Sequence, residues 1–144
     1  MRRVGILGGM GPEATVLLMQ KVIAATPARD DADHIPLIVD QNPQVPSRIR
    51  HLIEGVGDDP GPVLAAMARR LQQAGALALA MPCNTAHHYA PAIRAATSVP
   101  LIDMVALSVS HRPVWRARVA RSASWPHPRC GGSGFLTLRW LRPA

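Results

Sequence analysis

Residues Met81-Pro82-Cys83-Asn84-Thr85-Ala86-His87 set a thiol between the apolar run Ala76–Ala80 and a segment with helical spacing. A strand that ends in a tight turn and passes into a helix puts Cys83 at the helix N-terminus. The backbone there carries about half a positive charge and several unpaired N–H groups. Both favour an anion, and hence a thiolate. Asn84 and Thr85 are capping residue types, and the N–H groups beside them suit a carboxylate. The chemistry implied is a thiolate acting beside a bound acid. A buried cysteine serving as a small hydrophobe is the alternative, and the polar residues at 84 and 85 disfavour it.

Arg48 directly follows a proline-bearing loop, Asp40 to Ser47, where its guanidinium fork is suited to a carboxylate. Arg50 and His51 are its near neighbours without such a case. His87 with Cys83 has the spacing of a helical metal pair, yet the folded part holds no further thiolate or histidine cluster to complete four ligands, so no metal is expected. A thiolate–imidazolium hydrolase pair needs an orienting third group that the sequence does not offer. A hydrogen-bonding role for His87 is the simpler expectation. Gly9-Met10-Gly11-Pro12-Glu13-Ala14 fits the dinucleotide pattern G-x-G-x-x-A, with Asp40 placed as a ribose-binding acid. Pro12 removes an N–H from that cradle, and glycines easing a tight turn explain the run as well.

The elements that must position these residues alternate between strand and helix. Apolar runs predict strands at Val4–Leu7, Ile35–Val39, Leu77–Met81 and Leu101–Met104. Helices are predicted from Pro12 to Ala25, from Val63 to Gln73 and from Thr85 to Ala96, with a short turn from Arg48 to Ile53. Such alternation implies an α/β fold: a parallel four-stranded sheet with helices on both faces. Gly8–Pro12, Asp40–Arg48, Cys83–Thr85 and Asp103 then gather at the carboxyl ends of the strands, the usual ligand edge.

Composition splits the 144 residues in two. Residues 1–110 hold eight Arg, Lys21 and nine acids, for no net charge, and are expected to form one domain. Residues 111–144 hold seven Arg, no acid, and all three Trp, so the net charge of +7 lies entirely there. That segment has neither helical nor strand period, and an abrupt change of this kind is what translation in a shifted reading frame produces. It is expected to be a poorly packed basic tail rather than a domain, which disfavours a nucleic-acid partner as the meaning of the charge. No run is long and apolar enough for a membrane span, and nothing at the N-terminus reads as a signal peptide. The two cysteines lie in unlike segments, so a reduced, cytoplasmic setting is expected.

Three motifs together, Val4 to Thr15, Gln41 to Arg48 and Met81 to His87, resemble the aspartate/glutamate racemase family, nearest to its aspartate racemases. The resemblance covers residues 1–108 and implies an isomerase of amino-acid metabolism working without pyridoxal phosphate or any other cofactor. In that family two similar α/β domains face each other, and each offers a cysteine to one face of the substrate's Cα. By position, Cys83 resembles the first catalytic cysteine. Asn84 and Thr85 then hold the α-carboxylate, Arg48 the side-chain carboxylate, and Gly9, Met10 and Gln44 line the pocket. Ser47 departs from the acidic residue common there. Cys130, in Arg129-Cys130-Gly131-Gly132, does not match the family's second cysteine motif, so the resemblance implies a racemase shortened to its first domain and impaired. Aspartate or glutamate is the implied partner, and a homodimer is compatible with it. The alternatives are a non-catalytic domain that binds small dicarboxylates and, less favoured, a dinucleotide-binding domain.

Overall fold

The computed structural model describes residues 2–110; the expected basic tail, 111–144, and Cys130 with it, lie outside the described residues. Four strands, β1 (Arg3–Gly8), β2 (Leu37–Gln41), β3 (Ala76–Ala80) and β4 (Leu101–Ile102), form one sheet. They are all parallel, in the order β2-β1-β3-β4. Helix α1 (Pro12–Ala25) joins β1 to β2. The short α2 (Arg48–Leu52) and α3 (Gly61–Gln73) join β2 to β3, and α4 (Ala90–Ala96) leads into β4, which α5 (Met104–Ser110) follows. Right-handed crossovers then put α1 on one face of the sheet and α3 with α4 on the other. The expected α/β class holds, with helices on both faces.

The two faces are covered unequally. Leu7 and Leu79, both fully buried, point to the α3 side and share a core with Leu64, Met67, Leu71 and Ile93. Gly5 makes that approach close. A Cβ there would stand 2.9 Å from Leu79 Cδ2 and 3.1 Å from Leu71 Cβ. On the α1 side Val39 and Ile102 remain exposed, and an apolar groove of about 400 Å³ runs between Leu17 and Leu18 of α1 and Leu107 of α5.

Several boundaries differ from the sequence expectation, and three of the differences have a plain local cause. The helix expected over 85–96 is a 3-10 helix, Thr85–Tyr89, followed by α4. Pro91, in the first turn of α4, has no N–H to donate to the carbonyl of His87, so an α-helical ladder cannot run through that point. β4 stops at Ile102 instead of Met104, because Asp103 Oδ1 accepts the N–H groups of Val105 and Ala106, each at 3.0 Å, and starts α5. β2 begins at Leu37 rather than Ile35. Pro36 lacks an N–H but still takes part through its carbonyl, which accepts Val4 N–H at 3.0 Å.

Candidate functional site

The chain leaves β1 toward one side of the sheet and β3 toward the other, so the crevice at the carboxyl ends of these two neighbours is the topological switch point. Gly8 to Met10 form one lip and Met81 to Thr85 the other. The loop after β2 and the start of α5 flank them.

The first lip is fixed by close packing. Gly9 has φ +93°, and a Cβ on it would lie 2.4 Å from the Asn42 carbonyl carbon. Asn42 N–H donates to the Gly8 carbonyl at 3.2 Å, which ties the β2 loop to the β1 turn. Gly9 N–H donates to Oγ1 of the fully buried Thr15 at 3.0 Å, so that amide is committed within the protein. Met10 is buried in the core with Val45 and Met81 rather than open at the surface, whereas Gln44 is exposed. Gln44 N–H donates to Asn42 Oδ1 at 3.0 Å, which shapes the loop.

Arg48 opens α2 behind Ser47, whose hydroxyl accepts Arg50 N–H at 3.3 Å. Its Nη1 donates to the carbonyls of Val45 and Pro46 at 3.2 and 3.0 Å, folding the guanidinium back over the loop. Its Nε is buried and has no hydrogen-bond partner. A buried, unmatched donor on a cation is costly.

Cys83 is half-buried against the main core, with Sγ 3.5 Å from Thr85 Oγ1. Its N–H donates to the Met81 carbonyl at 2.9 Å, and its own carbonyl lies 2.8 Å from His87 Nδ1. Asn84 and Thr85 are exposed beside it. Asn84 precedes the 3-10 helix, but its side chain makes no capping bond, contrary to the capping role expected for it.

Two residues without an expected site role join these segments. His51 Nδ1 of α2 lies 2.7 Å from the hydroxyl of Tyr89, and Tyr89 is buried at the end of the 3-10 helix that starts at Thr85. Burial first, and then the charge of Asp59, raise the Tyr89 phenol above its ordinary value, while Arg48 opposes the shift. The chain's sole tyrosine, four residues past Thr85, was the available signal. Thr15 was the other omission.

Asp40 and Asp103, the remaining polar tips, serve the scaffold. Oδ2 of Asp40 accepts from Arg70 Nη2 and Nε of α3 at 2.7 and 3.1 Å, so the acid expected to meet a ribose is occupied. Asp103 caps α5 and pairs with Arg94 at 2.9 Å; the Ala106 N–H first, and then Arg94, hold its carboxyl below the usual value. Among the described residues no group of three or more His, Cys, Asp or Glu is arranged to hold a metal ion, and no helix is long and apolar enough to cross a membrane.

Residues 7–112 match the family model described as Asp/Glu/Hydantoin racemase. The chain is similar to the broad specificity amino-acid racemase RacX of Bacillus subtilis (strain 168), at 32% identity over 76% of this chain and 49% of that protein. Among solved structures it is similar to an aspartate racemase of Picrophilus torridus, with 31% identity and a TM-score of 0.70, covering 76% of this chain and 46% of that one. An aspartate racemase homologue from Pyrococcus horikoshii OT3 shares the fold, with 22% identity and a TM-score of 0.63, over 81% of this chain and 50% of that one. The chain thus spans about half the length of each of these relatives.

Proposed function

Because the chain belongs to the Asp/Glu/hydantoin racemase family, we propose that its folded part carries out α-proton transfer on a dicarboxylic amino acid, aspartate or glutamate, with Cys83 as the base. The observation that carries this reading is a half-buried thiol at the switch-point crevice, 3.5 Å from a hydroxyl, with Asn84 and Thr85 exposed beside it. Backbone and side-chain donors at Asn84 and Thr85 receive the α-carboxylate. Holding that carboxylate in hydrogen bonds draws electron density from Cα and weakens the C–H bond to be broken. The proton passes from Cα to the Cys83 thiolate, and the Thr85 hydroxyl supports the sulfur while it is charged. Arg48 takes the side-chain carboxylate, and Gly9, Met10 and Gln44 shape the wall through the turns they form. No cofactor enters the proposed reaction.

A thiol that returns its proton to the face it came from exchanges hydrogen but leaves the configuration unchanged. Inversion needs a donor on the opposite face. Cys83 is the cysteine of the described residues and serves one face, so we expect these residues by themselves to exchange the α-proton and to be impaired in inversion. The test is proton NMR of L-aspartate and L-glutamate with the protein in deuterated water, combined with chiral chromatography. Slow loss of the Cα–H signal with retained configuration, abolished by Cys83→Ala, is the expected result. Formation of D-aspartate at enzymatic rates would overturn the impairment, and exchange that persists in Cys83→Ala would overturn the assignment of the base.

The unpartnered buried Nε of Arg48 favours a second reading, a domain that binds small dicarboxylates without turnover. Saturable binding of succinate together with no α-proton exchange would select it.

A further inference from the structure

His87 spans the gap between the two segments that follow β3 and β4. Its Nδ1 lies 2.8 Å from the Cys83 carbonyl oxygen, and its Nε2 lies 3.3 Å from the backbone nitrogen of Met104. A carbonyl oxygen only accepts, and a backbone N–H only donates. The two contacts are satisfied together by one form of the ring: neutral, with the proton on Nδ1 and a lone pair on Nε2. The imidazole is therefore a strut of fixed length between the turn that presents the thiol and the first turn of α5.

We propose that His87 is a positioning residue for Cys83, acting as a neutral Nδ1–H imidazole that fixes the Cys83 carbonyl and couples the thiol's turn to the start of α5. The assignment of a purpose to this strut rests on the racemase reading of Cys83; the strut itself rests on geometry alone. Beyond the β3–β4 pairing itself, the neighbouring backbone bonds serve one segment each. The Cys83 turn has its own N–H bonded back to Met81, and Asp103 holds the next two amides of α5, those of Val105 and Ala106. His87 alone among these contacts reaches from one segment to the other.

The ring lines a shallow polar depression of about 470 Å³ with Asn84, His88, Asp103, Val105 and Ala106, so solvent protons have access to it. Protonation at Nε2 would replace the acceptor by a donor facing the Met104 N–H, and the strut would open at its α5 end. The charged and titratable groups around the ring are the Asp103 carboxylate at the β4–α5 junction, Arg94 of α4 paired to it, His88 on the same 3-10 helix, and the Cys83 thiol.

The experiment compares wild type with His87→Asn, His87→Gln and His87→Ala in the whole 144-residue chain. The Asn amide sits where Nδ1 sits and can still donate to the Cys83 carbonyl; the longer Gln side chain ends near Nε2 and can still accept from Met104. Nitrogen-15 NMR of the wild-type ring at pH 8 should show the Nδ1–H tautomer, and an Nε2–H tautomer overturns the proposal. Peptide-resolved alkylation of Cys83 by iodoacetamide needs no turnover. We expect rates in His87→Asn within about threefold of wild type, and a change of about tenfold or more in His87→Ala, the scale of a small misplacement of a reacting group. Equal rates in all four proteins overturn it. At pH 8 the Met104 amide should exchange faster in His87→Ala than in wild type and keep its protection in His87→Gln; equal protection in wild type and His87→Ala overturns the coupling to α5. Absence of α-proton exchange with the tautomer and alkylation pattern intact would refute the racemase reading and leave the strut standing.

Discussion

Thr15, one turn into α1, accepts the Gly9 N–H at 3.0 Å, and its side chain fills the space beside Gly8 that a Cβ would otherwise enter at 2.7 Å. One buried threonine thus holds both glycines of the β1 turn. Replacing it with valine keeps the volume and removes the acceptor, leaving the Gly9 amide buried without a partner. Thr15→Val should lose about 1–3 kcal/mol of stability, whereas Thr15→Ser keeps the bond and loses only a methyl. Urea unfolding of the two variants measures the difference; equal midpoints would show that the hydrogen bond is dispensable.

The glycines of this turn are not equivalent. Gly9 combines a left-handed φ with the Asn42 backbone at 2.4 Å from its missing Cβ, while a Cβ on Gly11 meets nothing within 4 Å and Gly11 has a φ of −94°. Gly9→Ala should therefore unfold the turn or cost more than about 1 kcal/mol, and Gly11→Ala should change stability by less than about 1 kcal/mol in either direction. Thermal unfolding of both distinguishes a turn built on Gly9 from a run of glycines that is interchangeable.

The strand–helix alternation was readable because a parallel sheet buried on both faces writes each strand as an apolar run, as in Ile6, Leu7 and Leu79. The place of Cys83, Asn84 and Thr85 just past the end of β3 was readable from the apolar run that precedes them. Other features were not, because they depend on contacts between distant segments. His51 and Tyr89 are 38 residues apart, and nothing local distinguishes His51 from Arg50. The capping role expected for Asn84 failed for a similar reason: the turn that starts there is 3-10, ruled by Pro91 seven residues on. Met10 and Gln44 were both assigned to a pocket wall, yet one is in the core and the other exposed, since loop residues take their facing from the turn and not from any period.

Asp103 predicts acid sensitivity at the end of the domain where α5 begins. Its carboxyl is held below the ordinary value of 3.8, first by the Ala106 N–H and then by Arg94. A group whose folded value lies below its unfolded one contributes stability above the unfolded value, and that contribution fades as the pH falls through the folded one. Protection of the α5 amides should therefore be full at pH 6 and diminish below pH 3.8. In Asp103→Asn the protection should already be weaker at pH 6 and should change less on acidification. Hydrogen exchange at the two pH values checks both statements, and an identical acid response in the variant would remove Asp103 as its source.

Arg48 separates a charge requirement from a shape requirement. Its Nη1 is spent on the Val45 and Pro46 carbonyls, and its buried Nε is the donor left without a partner. A lysine keeps the positive charge but carries no second nitrogen along the stem and no planar fork, so it cannot brace the loop and meet a carboxylate together. On the proposed reading, Arg48→Lys should weaken binding of succinate or aspartate by about tenfold or more, because a charge-assisted bond is replaced by a misplaced one. Glutamine at the same position removes the charge and should abolish detectable binding. Alanine in place of the exposed Arg50, two residues away, removes a charge of the same sign from the same helix and should leave affinity within about threefold, the effect of long-range charge alone at physiological salt. Chemical-shift titration with succinate ranks the four proteins. Losses of equal size in Arg48→Lys and Arg50→Ala would mean that the loop attracts the ligand only through its net charge, and the assignment of the side-chain carboxylate to Arg48 would fall.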